Sequence, residues 1–227
     1  MNTNIEELES IIEYSFNNKE LLVNALTHTS YVNENPSKDV FDNERLEYLG
    51  DAVLEVVSSK FIYQSYPDMN EGEMTKFRAS LVCEPTLASD ARDVKLPDFL
   101  YLGKGEESSG GRNRDSIISD AFEALIAAIF LDGGYEKAEE FIMKFAMNDI
   151  EHKRLFNDSK SILQERVEKT KRGELEYKII DEQGPDHDKT FTVAAIIDGK
   201  TVGTGVGPNK KAAEQKAAFN ALKDIEG

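Results

Sequence analysis

The sequence predicts an all-α domain followed by a small α+β domain of order α-β-β-β-α. Three observations point there. Apolar residues recur at helical spacing through the first 156 residues, where no strand pattern of useful length occurs. Beyond residue 157, three short β-prone runs lie between two helical segments. The 227 residues suffice for one large domain, or for a medium one and a small one. The expected domains are 1–156 and 157–227, with Asn157, Asp158 and Ser159 as a polar link and helix start.

The elements follow in order. Residues 6–12 form a short helix, and 19–26 carry Leu21, Leu22, Ala25 and Leu26 at helical spacing. Residues 33–42, with Pro36 and Ser37, read as a loop. A long helix over 44–63 places Leu46, Leu49, Val53, Leu54, Val57 and Phe61 on its apolar side. Two more helices are expected over 73–82 and 85–93. Residues 103–114, rich in Gly, Ser, Glu and Arg, are expected as an exposed loop. Asp115 or Ser116 can cap the next helix, which runs to Leu131 and stops at Gly133 and Gly134. Residues 135–156 supply a last helix. In the second part, Ile162, Leu163 and Val167 share one helix face, and 177–180, 190–197 and 201–206 are strands. Gly184–Pro185 and Asp198–Gly199 supply turns, the latter a favoured hairpin dipeptide. Residues 210–225 form an Ala-rich helix with Ala213, Ala217 and Leu222 along its buried side.

Composition narrows the function classes. The longest apolar run, Ala124 to Leu131, is far short of the roughly 20 residues of a membrane span. No basic residue precedes Lys19, so a secretory leader is not expected. Cys83 is the only cysteine, which excludes an intrachain disulfide and a cysteine-based zinc site. A cytoplasmic protein with no membrane partner is expected. The net charge of −16 argues against a nucleic-acid partner until its distribution is read. Residues 1–157 hold 15 basic and 30 acidic residues; residues 158–227 hold 12 and 13. The second part is near neutral and can carry a basic patch.

Two acidic stripes stand out. Glu44, Glu47 and Asp51 are spaced i, i+3, i+7 on one predicted helix, and Asp120 and Glu123 are spaced i, i+3 on another. Both helices are pulled into a core by Leu46, Leu49, Val53, Phe122, Leu125 and Ile126. Carboxylates crowded near a core repel one another and resist desolvation. A hard divalent cation offsets both, and Mg²⁺ with water completing its shell fits. Such a site suits phosphodiester hydrolysis. Acid at i, i+3 is equally the pattern of a solvated face, and spacing alone leaves both readings open.

The start of the last helix is the second signal. Asn209 can cap it, which puts Lys210 and Lys211 in its first turn, where the macrodipole disfavours cations. Free N–H groups beside two lysines make an anion site suited to phosphates; the lysines also fit an ordinary surface. Three other features are read as structural. His28 among Thr27, Thr29 and Ser30 is a hydrogen-bonding residue rather than a base. The Gly-rich run from Gly103 lacks the ending and the preceding strand of a phosphate-binding loop. Cys83 is expected as a small buried hydrophobe.

The segment Asn43-Glu-Arg-Leu-Glu-Tyr-Leu-Gly-Asp-Ala-Val-Leu54 resembles the hallmark of ribonuclease III, the double-strand-specific endoribonuclease. Ala25-Leu-Thr-His-Thr-Ser-Tyr31, Glu71-Gly-Glu-Met74, Arg78-Ala-Ser-Leu-Val82 and Ser116-Ile-Ile-Ser-Asp-Ala-Phe-Glu-Ala-Leu125 resemble family segments in family order. The last 70 residues resemble a double-stranded-RNA-binding domain. This resemblance implies that Glu47, Asp120 and Glu123 bind Mg²⁺, with Mn²⁺ as a substitute. It implies that Asp51 and Glu123 are catalytic, Asp51 orienting a water. It places Glu44 and Glu71 as accessory acidic positions. Ser161, Gln164 and Glu165 would touch 2′-hydroxyls, His187 would reach the next minor groove, and Lys210 and Lys211 would hold phosphates. Glu214 stands where many such domains carry a third lysine. A homodimer, with Tyr48 on its contact face, and a role in maturing ribosomal and messenger RNA are further implications. A non-enzymatic RNA binder would have broken acidic positions. A hydrolase of small phosphates would have no use for the appended module.

Overall fold

The computed structural model describes residues 5–36, 40–150, 153, 159–170, 173–184, 189–207 and 209–226. Packing divides the chain into two compact units, Met1–Asn148 and Asp149–Gly227. The first is helical, with α1 (Ile5–Ile12), α2 (Lys19–Ala25), α3 (Thr29–Glu34), α4 (Glu44–Ser65), α5 (Glu71–Val82), α6 (Glu84–Asp93), α7 (Lys104–Ser108), α8 (Asp115–Gly133) and α9 (Tyr135–Phe145).

At its centre lies α8, apolar on nearly every side between Ile117 and Ile129 and buried there at eleven positions. A helix apolar all round has to be surrounded, and α2, α4, α6 and α9 pack about it. The buried stripe of α4 is Leu46, Val53, Leu54, Val57 and Ile62, with Gly50 among them. There α4 meets α8 backbone to backbone: a Cβ on Gly50 would stand 1.8 Å from the carbonyl oxygen of Glu123. Only glycine allows that approach. Asp132, at the far end of α8, accepts the Tyr14 hydroxyl at 2.7 Å and the N–H groups of Asn17 and Asn18 at 2.9 and 2.8 Å. The α1–α2 connection is thereby tied to the central helix.

Four expectations are corrected. Residues 103–114 are not a plain loop but contain α7 and a 3-10 turn, Gly111–Asn113. The half-buried Arg112 guanidinium donates to the carbonyls of Pro97 and Leu100 and forks onto Glu107, while Glu34 accepts the N–H groups of Lys104 and Gly105. The helix after Tyr135 stops at Phe145, and Asp149 takes a left-handed φ of 46°. Asp115 opens α8 without capping it by a side-chain bond; it pairs with Arg92 at 2.5 Å, and a carboxylate in a first turn suits the dipole. Cys83 is only partly buried, with its Sγ 3.2 Å from the Thr86 hydroxyl.

The second unit comprises α10 (Ser159–Thr170), β1 (Leu175–Gln183), β2 (Thr190–Ile197), β3 (Lys200–Gly207) and α11 (Lys210–Glu226). The sheet is antiparallel in the order β1-β2-β3. Asp198 and Gly199 both have positive φ, 50° and 73°, as the tight β2–β3 hairpin requires. Leu163, Val167, Val193, Ala195, Ala213, Ala217, Ala218, Ala221 and Leu222 form its core. Close packing of α11 on β3 rests on small residues: a Cβ on Gly205 would lie 2.2 Å from the nitrogen of Ala217. Residues 185–188 and 208 lie outside the described set.

Candidate metal centre and nucleic-acid interface

Glu47 projects from α4 and Asp120 and Glu123 from α8, one ligand atom of each lying within 4.8 Å of the others. The Gly50–Glu123 contact brings the two stripes to this separation. All three carboxylates are half-buried, whereas Glu44 and Asp51 are exposed beside them. Burial, then the charges of Asp51, Asp120 and Glu47, push Glu123 up to about 8. Burial and then Asp120, Glu44 and Asp51 raise Glu47. Asp120 is raised by burial and by Glu84, against a Ser119 hydroxyl contact at 3.5 Å and the His28 ring. Glu47 and Glu123 are thus coupled to the acids around them, because each nearby charge opposes their ionisation.

Not every expected residue joins it. Asp51 acts on Glu123 and Glu47 through charge but is not one of the three converging carboxylates. Glu71 opens α5 and lines a separate cavity of about 420 Å³ with Ser59, Lys60, Tyr63, Met74 and Arg78. That cavity begins twelve residues beyond Glu47 on α4, about 18 Å along the axis. His28 caps α3: its Nδ1 accepts the Ser30 N–H at 3.3 Å and sits 2.8 Å from the Ser30 hydroxyl. Sequence reasoning missed Glu84, an exposed residue at the start of α6 that reaches Asp120 only through folding. It also missed Gly50, although a glycine inside a long helix costs about 1 kcal/mol and so signals a packing demand.

In the second unit Asn209 caps α11, its Oδ1 accepting the Ala212 N–H at 2.9 Å. Lys210 and Lys211 follow, both exposed, and the Lys210 ammonium lies 5.9 Å from the Phe191 ring centre. Ser161, Gln164 and Glu165 are exposed on α10; Gln164 donates to Glu168 at 2.7 Å, and Lys169 lies 3.7 Å from Glu165. His187 falls outside the described residues.

Comparison with known proteins accounts for both halves. Residues 18–150 match the family described as Ribonuclease-III-like, and residues 159–225 match the Double-stranded RNA binding motif. Ribonuclease 3 of Desulforamulus reducens is 48% identical over 223 residues, covering 97% of this chain and 91% of that protein. Ribonuclease 3 of Oceanobacillus iheyensis is 46% identical over 226 residues, covering 97% and 98%. The solved nuclease domain of ribonuclease III from Campylobacter jejuni superposes with a TM-score of 0.60 at 40% identity, covering 64% of this chain and 98% of that one. With a nuclease half, a double-stranded-RNA-binding half and relatives matched along nearly its whole length, the chain belongs to the ribonuclease III family of double-strand RNA endonucleases.

Proposed function

We propose that the chain cuts RNA duplexes as a homodimer, each copy cleaving one strand at a Mg²⁺ site made by Glu47, Asp120 and Glu123, with Mn²⁺ as a substitute. The observation that carries this reading is the convergence of three half-buried carboxylates, all raised in proton affinity first by burial, and Glu47 and Glu123 also by the acids around them. An all-oxygen donor set fits a hard cation rather than a soft one. Bound there, the ion supplies positive charge against the phosphate and makes a water more acidic.

The chain's own residues do the rest. Asp51, exposed at the edge of the cluster, accepts a hydrogen bond from the attacking water and aims its lone pair at phosphorus. One P–O bond forms to that water and one breaks to the leaving ribose oxygen, which takes up a proton. Glu44, exposed beside the cluster, serves as an accessory acid, whereas Glu71, on the separate cavity between α4 and α5, takes no part at the cluster of its own copy. Ser161, Gln164 and Glu165 present a hydroxyl, an amide and a carboxylate to 2′-hydroxyls, and His187 serves the next minor groove. Lys210 and Lys211 hold phosphates at the capped start of α11. The proposed working units are residues 1–156 and 157–227, a boundary eight residues beyond the division that packing gives between Asn148 and Asp149.

The second copy is supported by α4 itself. Tyr48, Val56 and Tyr63 recur along one stripe and are 82%, 57% and 71% exposed, and Phe41 just before the helix is 72% exposed. Apolar surface of that extent on one helix is what an interface covers. Maturation of ribosomal and messenger RNA in the cytoplasm is the proposed setting. The deciding experiment incubates the chain with a long RNA duplex and its separated strands, with and without Mg²⁺. Cutting confined to duplex plus Mg²⁺ is expected; cutting of single strands, or of duplex in chelator, would overturn the reading.

A further inference from the structure

Glu214 is an acid within reach of the lysines that the proposed function assigns to phosphate. On α11 it lies at i+4 from Lys210 and i+3 from Lys211, near enough for its carboxylate to fold back onto either. It does neither. Its Oε2 accepts from the ammonium of Lys160 at 2.5 Å, across from α11 to α10. Among the described residues neither Lys210 nor Lys211 has a carboxylate within ion-pair distance; Lys210 acts through charge on Glu182, whose own close partner is Lys189 at 2.8 Å.

Three physical terms favour that choice. The Lys160 ammonium lies 4.9 Å from the centre of the Tyr177 ring, which holds it over β1 and adds a cation–π attraction. Lys160 and Glu214 are 37% and 28% exposed, so the pair forms where water screens it less than on an open helix face. A lysine N-terminal to its glutamate on one helix is also the weaker orientation for an i, i+4 pair. Lys160 precedes Ser161, so the pair joins the helix assigned to 2′-hydroxyls to the turn assigned to phosphates.

We propose that Lys160 is a positioning residue for duplex binding: it holds the Glu214 carboxylate off Lys210 and Lys211, and the pair sets how strongly the start of α11 attracts phosphate. The proposal rests on the phosphate role of those two lysines. Removing the Lys160 charge releases Glu214 towards them and weakens binding. Removing the Glu214 charge leaves Lys160 as an additional unpaired cation beside the same surface and strengthens it. A pair that served folding alone would move neither binding parameter.

The test measures duplex affinity of the full chain in chelator, so that nothing is cut, across a range of salt, with a thermal melt of each variant. Glu214→Gln, close in shape to the original, should bind about 3-fold more tightly near 0.1 M salt, with a salt slope steeper by about 1. Lys160→Met should bind about 10-fold more weakly with a shallower slope, and Lys160→Arg should bind as wild type does. The double variant Lys160→Met/Glu214→Gln should return to within about 2-fold of wild type. If Lys160→Met does not fold, Glu214→Gln decides alone: an unchanged or shallower slope overturns the proposal. Lys210→Ala/Lys211→Ala separates the two readings. An unaltered slope in that variant refutes the phosphate role and this proposal with it. A reduced slope there, with Glu214→Gln indistinguishable from wild type, refutes only this proposal.

Discussion

Gly50→Ala is the smallest change that tests how the metal centre is assembled. The added Cβ would stand 1.8 Å from the Glu123 carbonyl oxygen and 2.5 Å from its carbonyl carbon, both backbone atoms that no rotamer change can move. Restoring even 3.0 Å, below which real Cβ contacts essentially never occur, needs α4 and α8 to part by about 1.2 Å. Overpacking of a tight core typically costs about 1–3 kcal/mol, and a rigid backbone contact belongs at or above the upper end. Alanine's better helix propensity returns about 1 kcal/mol, so a net loss of about 2 kcal/mol or more is expected. Both acidic stripes ride on the separating helices, and a misplacement of about 1 Å in a catalytic constellation can cost on the order of 100-fold in rate. The assay is duplex cleavage in saturating Mg²⁺ at a temperature where melting shows the variant fully folded. Folded Gly50→Ala that cuts within about 3-fold of wild type would refute the claim that this contact sets the carboxylate spacing.

Four further outcomes are expected. Asp51→Asn and Glu123→Gln should each lower cleavage by at least about 100-fold while binding duplex as wild type does, and near-normal cutting by either would reject its assigned role. Cation-free Glu123 keeps its proton up to about pH 8, whereas in the unfolded chain it loses it near 4.5; the folded state therefore binds more protons between those values, and cation-free stability falls as pH rises through them. Mg²⁺ competes with that proton, so the rise in Tm it produces should be larger at pH 8 than at pH 6, and an equal rise would contradict the shift. Tyr48→Asp, which charges the exposed stripe of α4, should convert a dimer to a monomer by light scattering; an unaltered mass would place the interface elsewhere. Tyr177→Phe removes a buried hydroxyl that has no hydrogen-bond partner among the described residues and keeps the ring under Lys160, so urea unfolding should show no loss of stability and up to about 1 kcal/mol of gain.

Periodicity made the helices legible, because the core selects apolar residues at the helical repeat. The α4 and α8 stripes were readable for the same reason: side chains at i and i+3 share a face before any tertiary contact forms. Asp198–Gly199 named its own turn, since few dipeptides accept two positive φ values. What escaped was order imposed from far along the chain. Composition marks 103–114 as irregular, yet its shape is fixed by Glu34 from α3 and by Arg112 reaching Pro97 and Leu100. The end of α9 carries no glycine or proline to announce it. Meeting of the two acidic stripes depends on Gly50 touching a backbone 73 residues away, and linear spacing cannot report a crossing angle. Glu84 belongs to the same category, since its effect on Asp120 exists only once α6 lies against α8.

The charge of −16 is reconciled with a polyanionic substrate by where the cations are used. In the helical unit at least eight are engaged with carboxylates: Lys19, Lys60, Arg78, Arg92, Arg112, Arg114, Lys137 and Lys144. A lysine or arginine already paired has little left to offer a phosphate, and releasing it would expose the acid it covers. On the proposed function, the helical unit presents its acidic cluster to RNA with most of its cations already engaged by carboxylates. Without a divalent ion that cluster repels the phosphate it must cut; with one, the sign of the local field reverses. On the proposed function, binding at a distance then falls to the second unit, whose Lys210 and Lys211 are exposed. The proposed division of labour follows from electrostatics: a surface acidic enough to concentrate a metal is, before the metal binds, a poor one for capturing the duplex.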